Sequence, residues 1–192
     1  MVTLSALWLP IVLSAVIVFV ASSVMHMLLT YHRSDYSQLP DEDKVTATLR
    51  SLNLKRGLYV FPFCTHKEMK SPAVQEKYKQ GPVGFITVMP SGPPAMPKFL
   101  GLWFAYTLLV SLFVAYLTAH TVPVGSSYRA VFRVAGTAAF LAYSLGSLPA
   151  GIWKGQPANT TIKEAIDGLI YALLTAGTFG WLWPRIAGAV GM

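Results

Sequence analysis

The chain has 192 residues, of which 54% are hydrophobic and only 12% charged, and a formal net charge of +7. Soluble domains carry about 25% charged residues, so the composition excludes an ordinary water-soluble enzyme or binding module. A single cysteine, Cys64, excludes an internal disulfide and any multi-cysteine metal site.

The charge is clustered: ten of fifteen Lys/Arg and six of eight Asp/Glu lie between residues 32 and 98. No stripe of basic residues interleaved with aromatics marks a nucleic-acid surface. The positive charge instead points to anionic lipid head groups and to control of membrane topology.

In chain order, Leu4 to Tyr31 is the first uncharged apolar run long enough to cross a bilayer, which needs about 20 residues of helix. It lacks a basic leader and exceeds the apolar length of a cleaved signal peptide, so it reads as a retained anchor. Tyr31-His32-Arg33 at its end fits a head-group anchor. In the insert, Asp41 can cap a helix to about Leu52, and Ser71-Pro72 opens a second helix that stops before Gly81. "LYVFPF" (58–63) and "VGFITVM" (83–89) are β-branched and aromatic; they either pair as two short strands or lie extended on the bilayer surface. "PSGPPAMP" follows, and Pro90, Pro93, Pro94 and Pro97 make it a stiff arm suited to docking across the cytoplasmic face.

The second span then begins after Pro97 and runs from Phe99 to Thr121, with Lys98 as its anchor. A third covers about Ala130–Ile152 and a fourth about Ile166–Trp183, with Pro149 as a kink in the third. Trp8, Trp103, Trp153, Trp181 and Trp183 fall near span ends, as interfacial belts require. The sequence thus predicts an all-α membrane protein. A four-helix transmembrane bundle forms from residues 1–31 and 99–192, with a small, partly helical insert at 32–98. The positive-inside rule puts the insert in the cytoplasm and both termini outside.

Helices in lipid associate over small residues. Gly168, Ala172, Ala176 and Gly180 form one such face in the fourth span, and Gly136 and Gly146 belong to another in the third. The face serves either packing within the bundle or docking of another subunit. Thr161 and Glu164 fit a T-x-x-E capping box, and Lys163 and Asp167 are spaced to pair along a helix.

No phosphate loop, nucleophile elbow or H-E-x-x-H is present, so no catalytic residue is assigned. His26 is the candidate cofactor residue, as a single ligand to haem or a chlorin-type pigment, with a bond to a neighbouring carbonyl as its plainer role. His120 lies at the opposite membrane border, about 25–30 Å away, and cannot share one haem with it in this chain. Cys64 and His66, with His32, make a sparse metal proposal, since structural zinc takes four ligands. No metal or cofactor is assigned beyond these.

"YHRSDYSQLPDEDKV", "GLYVFPF", "KEMKSP", "GPVGFITVMPSGPP" and "GTFGWLWPR" resemble a family of small bacterial inner-membrane proteins, hypothetical proteins with no assigned activity. The resemblance implies a bacterial inner membrane and adds no reaction or ligand. The leading expectation is a non-catalytic subunit or scaffold of a larger membrane assembly, of respiratory or photosynthetic type. Its partners are the bilayer and other membrane subunits or copies of itself. A small transporter or lipid-handling protein comes second, and an electron-transfer protein centred on His26 third.

Overall fold

The structure, a computed structural model, describes residues 2–185. It is mostly helical with one small sheet, in the order α1 (Trp8–Met27), α2 (Glu42–Ser51), β1 (Gly57–Phe61), α3 (Pro72–Gln80), β2 (Gly84–Val88), α4 (Met96–Thr121), α5 (Tyr128–Tyr143), α6 (Leu148–Trp153) and α7 (Ala158–Trp181). The chain divides into two compact units. One holds residues up to 35, 95–152 and from 156 on; the other holds 36–94 with 153–155.

Three helical segments are long and apolar enough to cross a membrane: Leu4–Met27, Met96–Thr121 and Tyr128–Trp153. The sequence predicts a fourth at Ile166–Trp183. A helix is there, but α7 starts eight residues earlier, at Ala158, and its first turns carry Lys163, Glu164 and Asp167, so it does not join the apolar set. The third segment is not one straight helix. Between α5 and α6 the backbone tightens into a 3-10 turn at Leu145–Ser147, because Pro149 has no N–H to give the carbonyl four residues back. Ser144 Oγ there donates to Ala165 O of α7 at 2.7 Å.

Small residues set how α5 meets α7. A Cβ on Gly168 would lie 2.4 Å from the Tyr143 carbonyl oxygen and 2.5 Å from Ser144 Cα. Only glycine lets the two backbones approach that closely. Further along the same face Ala172 and Ala176 are buried, a Cβ on Gly136 would come 3.1 Å from Ala176 Cβ, and one on Gly180 would meet the Tyr128 ring at 2.7 Å. Gly146 faces open space and is outside this contact. Leu7, Val18, Val114, Val131 and Phe179 fill the core, and the Ser14 and Ser111 hydroxyls meet at 2.9 Å where α1 crosses α4.

The five tryptophans expected at span ends do not share one environment. Trp8, Trp153 and Trp181 are exposed. Trp103 instead turns inward and donates to Ser22 Oγ at 2.7 Å, while Trp183 is buried and donates to Pro123 O at 2.9 Å. An indole N–H that finds an acceptor inside the unit no longer needs the interface.

In the second unit β1 and β2 pair antiparallel, Gly57 opposite Val88 and Phe61 opposite Gly84. The two β-branched runs are therefore a strand pair. A Cβ at Gly84 would come 2.9 Å from the Phe61 ring, so the glycine makes room for its cross-strand neighbour. Leu58, Val60 and Phe85 are exposed on one face of the pair. Ser71 caps α3 as expected, accepting from Val74 N. Asp41 precedes α2 but adopts a left-handed φ of 50° and makes no side-chain cap; its carbonyl takes the Lys44 and Val45 amides instead. Pro90, Pro93 and Pro94 are exposed between β2 and α4. Helix α4 starts at Met96 rather than after Pro97, since a first-turn proline gives up only an N–H that has no helical partner.

Gly168→Ala is expected to lower the thermal midpoint of the detergent-solubilised protein by an amount corresponding to about 1–3 kcal/mol, the usual cost of forcing atoms into a packed contact. Gly146→Ala, with nothing near its Cβ, is expected to leave the midpoint unchanged or slightly raised.

Candidate functional site

Just past α1 the chain makes a 3-10 turn, Tyr31–Asp35, reading YHRSD. It brings Tyr31, His32 and Asp35 to the N-terminal part of α7, where Lys163 and Asp167 sit four residues apart and so share a face. That spacing predicts a pair within α7. Both groups turn to the YHRSD segment instead. Lys163 Nζ donates to Asp35 Oδ1 at 2.7 Å, to Tyr31 O at 2.7 Å and to Ser34 Oγ at 2.8 Å. Asp167 accepts from the Tyr31 hydroxyl at Oδ1 and from His32 Nε2 at Oδ2, the latter at 2.7 Å.

His32 lies between two acids, its Nδ1 2.5 Å from Asp35 Oδ2. Carboxylate oxygens accept and do not donate, so both ring nitrogens carry hydrogen and the imidazole is charged. Burial opposes that charge, but the bonds to Asp35 and Asp167 outweigh it and hold His32 above its ordinary pKa. Lys163, and after it His32, hold Asp35 below the usual carboxylate range. Burial, then the bond to Asp167, push the Tyr31 hydroxyl upward, which keeps it a neutral donor. Two cations face two anions, and each polar atom has a partner. That satisfaction is what makes a nearly buried carboxylate such as Asp167 tolerable.

His26 stands beside this network without being enclosed by it. Its Nδ1 is 3.0 Å from Ser22 O. A carbonyl only accepts, so Nδ1 carries the proton and Nε2 is the free ring position. That Nε2 lies 3.8 Å from Asp167 Oδ2, and the side chain is 53% exposed. The His26 and His32 rings stack with centroids 4.4 Å apart.

A cavity of about 460 Å³ begins here, lined by His26 and Met27 of α1, Leu100 and Trp103 of α4, and Asp167 and Tyr171 of α7. Its walls are almost wholly apolar. Tyr171 is 4% exposed, and its hydroxyl has no hydrogen-bond partner among the described residues. The Trp103 and Tyr143 rings meet the Tyr171 ring edge-on, at 6.2 and 5.8 Å.

Of the residues singled out from sequence, His26 lies in this site and keeps the carbonyl bond expected of it. His120 bonds Tyr116 O on its own helix, and Cys64 Sγ is 3.6 Å from the Tyr78 hydroxyl. Among the described residues, the three-donor cluster is His26, His32 and Asp167, with donor atoms within 4.8 Å of one another; Cys64 and His66 are not in it. The capping box does not form. Helix α7 has already begun at Ala158, so Thr161 lies a turn inside it and donates to Pro157 O at 3.3 Å. Sequence reasoning missed Tyr31, Asp35 and Tyr171. The available signal was the opposite placement of Y-H-x-x-D after one apolar run and K-x-x-x-D at the start of another.

No family model, curated protein or solved structure matches the chain.

Asp167→Ala leaves both the Tyr31 hydroxyl and His32 Nε2 without their acceptor, at about 1–3 kcal/mol for each stranded group. The expected result is a clear fall in the thermal midpoint in detergent. Tyr31→Phe, which removes one donor and strands no charge, is expected to cost less than half as much.

Proposed function

We propose that the chain is a multi-pass protein of the bacterial inner membrane in which α1, α4, α5–α6 and α7 all cross the bilayer. In this reading the basic insert is cytoplasmic, and the protein binds an amphipathic, lipid-type molecule in the cavity between α1, α4 and α7. The observation that carries the proposal is the cavity's division into two kinds of surface. One part, with Met27, Leu100 and Trp103, offers only apolar contact. The other is bordered by His26, Asp167 and Tyr171, whose buried hydroxyl has no partner among the described residues.

The volume of about 460 Å³ falls within the range of about 300–1,000 Å³ typical of small-molecule sites. A buried hydroxyl without a partner costs about 1–3 kcal/mol. A ligand head group that reaches Tyr171 through a side-chain shift recovers that cost, and an acyl or prenyl chain along Leu100 and Met27 gains hydrophobic contact. A fully water-soluble ligand would gain nothing from such walls.

The expectation of a non-catalytic subunit stands second. The exposed Leu58, Val60 and Phe85 face supports it, while the small-residue face of α7, offered from sequence as a docking surface, is occupied by α5.

The test is native mass spectrometry of protein extracted from its own membrane in mild detergent. Wild type is expected to carry one small amphiphile per chain. Leu100→Trp, which fills the cavity from a partly exposed position, is expected to lose it. A wild-type protein without adduct, or a variant loaded equally, would sink the proposal.

A further inference from the structure

The pairing of His26 with His32 over Asp167 calls for an explanation that an internal salt bridge does not supply. His32 needs its two acids, but His26 is tied to none of the network by a hydrogen bond. Still, its one free nitrogen lies 3.8 Å from the oxygen that His32 already holds. We infer that His26 Nε2, His32 Nε2 and Asp167 Oδ2 bind one divalent transition-metal ion at the edge of the cavity.

Three observations converge on this. The three donor atoms lie within 4.8 Å of one another, with individual separations from Asp167 Oδ2 of 3.8 Å to His26 and 2.7 Å to His32. Ligands about 2.0–2.2 Å from a tetrahedral ion lie about 3.3 Å apart, so the cluster brackets the required spacing. His26 must rotate out of its stack with His32 to aim its lone pair, a movement open to a half-exposed side chain at the end of α1.

The second observation is the state of the remote nitrogens. Metal-bound histidines almost always donate their other N–H to a carboxylate or a carbonyl, which fixes the tautomer and the ring. Both rings have this arrangement. His32 Nδ1 is held by Asp35, itself gripped by Lys163, and His26 Nδ1 is held by Ser22 O. In each ring the nitrogen left for a metal is the one facing Asp167. The metal replaces the Nε2 hydrogen of His32, and that hydrogen leaves as a proton to solvent.

Third, the Tyr31 hydroxyl takes Oδ1 of Asp167 and leaves Oδ2 to the ion. His26 and Asp167 both line the cavity, so the remaining coordination positions open onto it, for water or for a polar group of a bound molecule. Two imidazoles and one carboxylate suit zinc, iron(II), cobalt(II) or manganese(II) and disfavour calcium and magnesium, which prefer all-oxygen sets. The inference does not depend on the cavity holding a lipid.

The full chain, purified in detergent without a polyhistidine tag and stripped with chelator, is titrated with cobalt(II) chloride. One equivalent is expected to bind, with visible d–d absorption and a raised thermal midpoint; magnesium is expected to do neither. His26→Ala removes a ligand whose hydrogen bond is to its own helix and whose contact with the turn is a stack on His32. It is expected to stay folded without metal, with a slightly lowered midpoint, and to bind cobalt at least about tenfold more weakly. Asp35→Asn is an independent variant that leaves all three ligands in place while weakening the support of His32 and the pair with Lys163, and it is expected to weaken binding by about tenfold or more. His66→Ala is expected to match wild type. Absence of stoichiometric cobalt in wild type, or unchanged affinity in His26→Ala and Asp35→Asn, would overturn the site. A wild-type protein that carries its amphiphile but binds no cobalt would leave the lipid reading standing and reject the metal alone.

Discussion

Burying the Asp167 carboxylate is the constraint around which the helical unit is arranged. A carboxylate in an apolar interior needs its oxygens taken by donors, or the unit does not form. The YHRSD turn supplies two of them, and Lys163, a turn earlier on α7, closes the circuit by holding Asp35. The residue after Asp167 is Gly168, where a Cβ would lie 2.4 Å from the Tyr143 carbonyl oxygen at the end of α5. Charge satisfaction on one side of the helix and backbone contact on the other therefore fall at one level of the unit. An error in the register of α7 by a single residue would lose both at once.

Other polar atoms in this unit are satisfied mostly within their own helices. Thr118, Thr175 and Thr178 each donate to the carbonyl four residues back, a habit of hydroxyls in apolar surroundings. Register between helices then rests on shape, through glycine and alanine, and on the ionic cluster. Tyr171 differs from these threonines: it lines the cavity, and its buried hydroxyl has neither an intrahelical nor an interhelical partner among the described residues.

Much of the fold was legible in the sequence because lipid-like composition leaves few options. The three apolar segments, the Ser71-Pro72 helix start and the small-residue stripe of α7 each follow from local chemistry. The pairing of "LYVFPF" with "VGFITVM" stood as one of two alternatives, since a strand pair is decided by a partner 27 residues away and not by its own composition. The site was far less readable. Lys163 and Asp167 have the spacing of a helical pair, and nothing local says that a turn 130 residues earlier will outcompete it. Thr161 and Glu164 matched a helix start that lies elsewhere, because α7 opens at a proline-led turn that needs no capping side chain. His26 was visible only as an isolated histidine; its meaning comes from His32, which the sequence places six residues on and past the end of the helix.

The clamp on Asp167 also has an order in time. Chains emerge from the ribosome N-terminus first, and earlier segments are in place while later ones are still being made. Tyr31, His32 and Asp35 are synthesised more than 120 residues before Lys163 and Asp167. The helices with internally satisfied hydroxyls can each enter an apolar phase alone. Helix α7 cannot do so cheaply, and it is the last of the described helices to appear. By then the residues of its receptor, the turn at the end of α1, have already been made, so this more polar helix emerges with its partner at hand.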